Sequence, residues 1–449
     1  MKSRLLSTIS CLGLLAPLAM PVGLAAQELK AQPTRYTVTD LGPPATVFSQ
    51  GTGLNNYGLV SGLATLPDDV TQHAVIWYKG RIMDIGTPGL GGPNSGALGV
   101  NDLGQAIGQA ETPDPNNENF CDYFTGLTCL PFLWQRGVMT PLPLLGGHNG
   151  TVGSINNRGE VAGIAENSTR DDDCPLTPAL NGTGPLAFDF EAVIWGPGRG
   201  EIRELHPLPG DTVGAAFGIN DNGQAVGVSG LCSNTTLPGF EAGPHAVLWE
   251  KDSSVHDLGS LGGTVNTAIL GLGTVAFSIN EHGQVAGVSA LAGNTNFHAF
   301  LWTKETGMRD LGVLYGDVDS AGLGINDGGE VVGASVGAGG PLVDVRAFLW
   351  QNGVMSDLNA LVPADSPLYL LTAFAINNTG EIAGFGVNTS TGDLHAFLAT
   401  PCDPNHTDTD IRKGDLNGAA AVGDLTTGRP RPVLSENARK LLQQHLWRH

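Results

Sequence analysis

The chain has 449 residues, a formal net charge of −21, only 14% charged side chains, and 65 Gly, 28 Pro and 6 Cys. Acidity on this scale disfavours nucleic acid and anionic lipid surfaces as partners and favours solubility. The glycine and proline content suits many short strands joined by tight turns and suits long helices poorly.

Residues 1–26 read as a secretory signal. Lys2 and Arg4 precede an apolar stretch from Leu5 to Leu24, and Ala25 and Ala26 supply small residues for cleavage. The competing reading, a lipid-modified Cys11, suffers because Thr8-Ile9-Ser10 lacks the usual leading leucine. No later stretch approaches the ~18 apolar residues a membrane helix needs. The mature chain is therefore expected to be secreted or extracytoplasmic, in the periplasm or at the cell surface, without a transmembrane segment.

From Tyr36 three short motifs recur in fixed order. The first is an INxxG turn followed by a glycine-flanked apolar run: LNNYGLVSG from Leu54, VNDLGQAIG from Val100, INNRGEVAG from Ile155, INDNGQAVG from Ile219, INEHGQVAG from Ile279, INDGGEVVG from Ile325 and INNTGEIAG from Ile376. The second is a run usually ending in Trp: HAVIW from His73, LPFLW from Leu130, EAVIW from Glu191, HAVLW from His245, HAFLW from His298, RAFLW from Arg346 and HAFLA from His395. The third ends near DLG, as at Thr39, Met83, His256, Arg309 and Ser356, with looser versions at Thr140 and Arg203.

In INxxG the Asn can bond its own backbone ahead, and the Gly supplies the positive φ of a tight hairpin. Four residues without polar alternation in the second motif fit a strand covered on both faces. A polar connection such as Gln351 to Gly353 then makes a second hairpin. Two hairpins per repeat give a four-stranded sheet, the size of a propeller blade. The predicted fold is thus all-β, a seven-bladed β-propeller over residues 36–401, with an open β-repeat array as the alternative. Its phase is informative. The chain begins with a lone outer strand from Tyr36, and its last repeat stops at HAFLATP, ending with Pro401. The N-terminal strand is placed to complete the seventh blade, since leaving either end as an unpaired edge wastes backbone hydrogen bonds.

HAFLW, INxxGxVVG and DLGxLGG together resemble the bacterial extracellular HAF repeat family, named for its His-Ala-Phe triplet. The resemblance covers most of the chain. It implies export and a repeat architecture, and it brings no catalytic residues. Repeats two and three lose DLG, repeat two loses His and Ala, and the last loses Trp.

Within such a ring the second-to-third-strand loops and the blade-to-blade connections share one face, where function is expected. Three of these loops are expanded, Glu111 to Cys129, Asn167 to Phe190 and Leu231 to Gly243, in successive blades two, three and four. They offer Asp122, Tyr123 and Phe124, the carboxylates Asp171, Asp172 and Asp173, and Asn234 as candidate ligand contacts. Export into an oxidising compartment favours disulfides. Cys121 with Cys129 is the first choice, Cys174 with Cys232 the second, which leaves Cys402 over.

No catalytic, metal or cofactor residues are expected, although consecutive carboxylates raise calcium as an alternative. His73, His245, His298 and His395 occupy one position of separate blades, so a repeated hydrogen-bonding role is expected rather than a metal set. HExxH and Walker loops are absent from the sequence. The expected function is binding of a glycan, peptide or envelope protein through the loop face. A carbohydrate-active hydrolase or lyase and a structural surface protein are the alternatives. Residues 402–433 read as a linker, and 434–449 as a short C-terminal helix or a disordered tail. In the helix Ser435 can cap, and Ala438, Leu441, Leu442 and Leu446 share one face.

Overall fold

The computed structural model describes residues 34–43, 46–68, 70–86, 89–116, 120–121, 123, 125–169, 188–231, 245–263, 273–340, 344–402 and 431–440. A lone strand, β1 (Tyr36–Asp40), comes first. Blade 1 follows with β2 (Ser49–Leu54), β3 (Val60–Thr65), β4 (Gln72–Tyr78) and β5 (Arg81–Asp84). Blade 2 has β6 (Ser95–Val100), β7 (Ala106–Pro115), β8 (Leu127–Gln135) and β9 (Val138–Pro141). Blade 3 has β10 (Gly146–Ile155), β11 (Val161–Asn167), β12 (Phe190–Trp195) and β13 (Ile202–Leu205). Blade 4 has β14 (Val213–Ile219), β15 (Ala225–Gly230), β16 (His245–Trp249) and β17 (Val255–Asp257). Blade 5 has β18 (Val275–Ile279), β19 (Val285–Ala290), β20 (Phe297–Thr303) and β21 (Gly307–Asp310). Blade 6 has β22 (Asp317–Ile325), β23 (Val331–Gly337), β24 (Val345–Gln351) and β25 (Val354–Asp357). Blade 7 is built from β26 (Leu368–Ile376), β27 (Ile382–Asn388) and β28 (Leu394–Pro401), and β1 is its fourth strand.

All seven sheets are four-stranded and antiparallel, and the molecule is a seven-bladed β-propeller. Closure follows the predicted phase: β1 pairs with β28 from Tyr36 opposite Pro401 to Asp40 opposite Phe397. Each innermost strand packs beside the next around the ring, and β26 returns to β2. The open array is therefore ruled out.

The packing explains the motifs. The third strand of each blade is buried on both sides, as in β12 and β16, because neighbouring sheets cover it. Apolar clusters lie between consecutive blades; one joins Ala162, Ala192 and Ile194 of blade 3 to Ala216, Ile219, Val247 and Trp249 of blade 4. Another joins Leu349 and Ala347 of blade 6 to Phe397, Leu370 and Tyr36 of blade 7. Burying a large side chain such as Phe300 or Phe397 contributes about 2–3 kcal/mol. The glycine of VxG is required by close approach rather than by flexibility: a methyl on Gly287 would collide with the Val275 carbonyl of the inner strand and with the Phe300 ring. Every inner strand also carries a bulge at one level, between Gly51 and Gly53 in blade 1 and between Ala276 and Ser278 in blade 5. The skipped residues, among them Leu98, Phe217, Phe277 and Phe374, are half-buried.

Among the described residues the tail 431–440 departs from the blades. Residues 436–440 are helical, and Ser435 caps them by accepting from the Ala438 N–H at 3.1 Å. No helix among the described residues is long and apolar enough to cross a membrane.

Candidate functional site

In every blade the second strand ends, and the third begins, on the face that the expanded loops connect. In blade 2, β7 runs on to Pro115 and β8 starts early at Leu127, so the insertion begins as an extended hairpin. Cys121 and Cys129 form the predicted disulfide, with Cα atoms 6.1 Å apart. Gln109 anchors it from below: its Nε2 donates to the Cys121 carbonyl at 3.3 Å while its Oε1 accepts from Thr151 Oγ1 at 2.6 Å. Tyr123 is half-buried against a cluster of Phe120, Cys121, Cys129, Ile164 and Phe190, so its ring packs the base of the loop rather than standing free. The other candidates, Asp122, Phe124, Asp171, Asp172, Asp173 and Asn234, lie outside the described residues, as do Cys174 and Cys232. Cys402 is itself disulfide-bonded, which corrects the expectation that it is left over. Counting cysteines in sequence cannot choose partners, because pairing depends on distances set by the closed ring.

Three buried carboxylates support this sector. Glu111 accepts from Asn94 N–H and Nδ2, and also from the Thr125 hydroxyl; burial raises its pKa against the lowering by these bonds. Glu166, fully buried, accepts from the backbone N–H groups of His148 and Asn149 at 3.0 and 2.7 Å. Asn149 Oδ1 in turn accepts from Cys129 N–H, tying the connection into blade 3 to the disulfide loop of blade 2. The third is Glu191, which takes the position held by His in four other blades. Its Oε1 accepts from Asn167 Nδ2 at 3.2 Å, and its Oε2 is buried without a partner. Burial first, then the charges of Glu204 and Asp189, push its pKa up to about 8.

The histidines behave as the repeat predicted. His73 Nδ1 lies 2.8 Å from Asp84, His245 3.2 Å from Asp257, His298 2.9 Å from Asp310 and His395 2.9 Å from Asp40. Each bond joins the third strand to the Asp of DLG in the fourth. In blade 6 Arg346 substitutes, binding Asp357 at 3.1 Å and Asp317 at 2.8 Å. Among the described residues no three His, Cys, Asp or Glu side chains converge as a metal would require.

The opposite face holds an arrangement that sequence reading missed. Asn55, Asn101, Asn156, Asn220, Asn280, Asn326 and Asn377 each donate Nδ2 to the backbone carbonyl of the equivalent Asn in the next blade, at 2.9–3.1 Å, and Asn377 donates to Asn55. A second closed circuit runs beside it. The N–H of each following residue donates to the side chain of its counterpart in the next blade, through Asn56, Asp102, Asn157, Asp221, Glu281, Asp327, Asn378 and back to Asn56 at 2.6–2.9 Å. The sequence signal was there, since that position is always Asn, Asp or Glu. The four carboxylates of this circuit are thus engaged as acceptors. Glu281 is raised by burial and by the charges of Asp221 and Asp327, against the Asp221 N–H that it accepts.

No protein-family model and no curated protein matches the chain. Several solved structures are similar to it. The β-propeller domain of the Trilobed protease from Pyrococcus furiosus, described as having an open velcro topology, matches over 83% of this chain and 99% of that chain at 10% identity, with a TM-score of 0.44. Dipeptidyl peptidase 4 from Porphyromonas gingivalis matches over 75% of this chain and 57% of that one at 10% identity, with a TM-score of 0.37. The PQQ-bound aldose sugar dehydrogenase from Streptomyces coelicolor matches over 82% and 100% at 11% identity, with a TM-score of 0.25.

Proposed function

We propose that the chain is an exported binding module of the HAF repeat type, which presents the loop face of blades 2 to 4 to a glycan, peptide or envelope protein. One observation carries this reading: the connections between second and third strands are expanded in one sector only, blades 2 to 4, and that sector has a built foundation. A disulfide, a packed tyrosine and three buried carboxylates hold the bases of loops in blades 2 and 3, whereas β23 and β24, or β27 and β28, are joined by fewer than ten residues. Rigid support beneath variable loops is the economy of a recognition surface.

The hydrolase reading draws on Glu191, a carboxyl held protonated at neutral pH beside two other acids, the pattern of a general acid. Its burial weighs against that role. Glu191 is only 8% exposed and Oε2 is out of contact with water, so a substrate has no approach to the proton.

Screening the purified protein on glycan and peptide arrays, with and without a Cys121→Ser/Cys129→Ser exchange, tests the reading. Binding that weakens at least tenfold in the exchange supports it. Turnover of an arrayed glycan by the purified protein, abolished in Glu191→Gln, would replace it with the hydrolase.

A further inference from the structure

On the far side of the same loop face, where blades 6, 7 and 1 meet, a decapeptide of this chain lies across the surface as a separate segment. The last blade strand ends at Pro401, and residues 431–440 belong to no blade strand. They do not lie loosely. The Arg431 guanidinium pairs with Asp344 of blade 6 and hydrogen-bonds Tyr369 at the start of β26. Ser435 N–H donates to the Gly392 carbonyl at 2.9 Å, and Ser435 Oγ donates to Asp393 at 2.7 Å. Between these polar anchors Ala438, fully buried, and Leu434 pack on Phe48 of blade 1 and on Val387 and Leu394 of blade 7. Gly392 has φ +78°, and a side chain there would press on the Val433 carbonyl, so the receptor backbone is shaped to let the segment approach.

We propose that this groove is a peptide-recognition site, and that the chain's own residues 431–440 are its tethered occupant. It reads a basic segment of the pattern Arg, then an aliphatic residue three positions on, Ser next to it, and a small residue three positions later. The chemistry of each subsite supports this. Asp344 selects a cation, Asp393 and the Gly392 carbonyl select a donor at Ser435, and the apolar floor admits only a small side chain at position 438. Charge follows the same division. The segment carries Arg431, Arg439 and Lys440 against Glu436, while the chain as a whole is at −21. Because the segment is covalently joined to the ring, it meets the groove at an effective concentration on the order of 1 mM. An intrinsic Kd of ~10 μM would therefore keep the groove almost full, yet let a better-matched segment of another protein displace the tail. The site lies across the ring from blades 2 to 4, so it stands or falls separately from the loop sector proposed above.

Fluorescence anisotropy with a labelled peptide of residues 431–440 tests this on the full chain. The wild type should bind it weakly. A tail-released chain, Arg431→Glu/Ala438→Glu, should bind it at least tenfold more tightly, and adding Asp344→Lys to that chain should return binding to the wild-type level or below. Equal binding by wild type and tail-released chain, or indifference to Asp344→Lys, overturns the proposal. Loss of folded structure in the tail-released chain, seen by circular dichroism, overturns it too, because the segment would then be a fixed part of the fold. In the wild type, hydrogen exchange at the Ala438 amide gives an independent reading: excess peptide should accelerate it if the tail is displaceable and leave it unchanged if it is not.

Discussion

At the scale of single residues, the asparagine of INxxG serves two structures with one side chain. In blade 5, Asn280 Oδ1 accepts from the His282 and Gln284 N–H groups, which folds its own turn, while Nδ2 donates to Gln284 Oε1 and to the Asn326 carbonyl in the next blade. The first role was legible in the sequence, since an Asn before a glycine turn has a local explanation. The second was hidden because that explanation already accounted for the residue. Asn280→Ala should cost about 2–4 kcal/mol in urea unfolding, the sum of an orphaned carbonyl and lost turn bonds; a loss below ~0.5 kcal/mol would show the circuit to be incidental. Glu191 makes a different prediction. Its folded pKa of about 8 lies above its ordinary value of 4.5, so the folded state holds a proton that the unfolded state releases. Stability should fall as pH rises from about 4.5 through 8, and the protein should be most relieved of this penalty below that window. Glu191→Gln should flatten the decline and stabilise the protein at pH 8.5 by about 2 kcal/mol, less than the full shift because the protein relaxes around a buried charge. Thermal melts of both proteins across pH 5 to 9 would measure it.

At the scale of elements, each blade is a compromise between an inner strand that must bulge and a second strand that must yield space to it. Gly287 in β19 is where that space is made. Gly287→Ala should destabilise by about 3 kcal/mol or more, since the obstructing Val275 carbonyl is backbone and cannot swing aside. The outer strand β1 is short, yet Tyr36 is buried to 2% exposure among Leu361, Leu368 and Phe397. Tyr36→Ala should therefore cost about 3–5 kcal/mol, a core penalty at an edge position. Chemical denaturation of the two variants would separate these local losses from any change in cooperativity. The elements themselves were legible because every blade repeats the same pressures on the same positions. The pairing of the HAF histidine with the DLG aspartate is not legible from either motif alone, because the two are neighbours only through the hairpin that joins them. Least legible were the loops of blades 2 to 4, which escape the repeat and so have no second copy to be compared with.

At the scale of the whole molecule, the ring brings the ends of the propeller together. Cys402 N–H donates to the Arg35 carbonyl at 2.8 Å, continuing the β1–β28 ladder beyond its last paired residues. A circular permutant that joins residue 402 to residue 35 by a short glycine linker, opened between blades 1 and 2, should fold to the same propeller with a melting temperature at or above the parent's. The covalent joint would replace a closure that the chain makes between residues more than 350 positions apart, and such distant contacts slow folding. Refolding of the permutant should accordingly be faster; a permutant that fails to refold would mean the seam depends on more than proximity.

The register of that seam also decides how the molecule answers to force. Tyr36 faces Pro401, and the chain leaves both residues at the same end of the pair. Tension applied through the two termini would therefore load the β1–β28 bonds one after another, as a zipper, instead of all at once in shear. A propeller hauled between two anchors would give way at blade 7 under modest load, peeling β1 off while blades 1 to 6 keep their four strands.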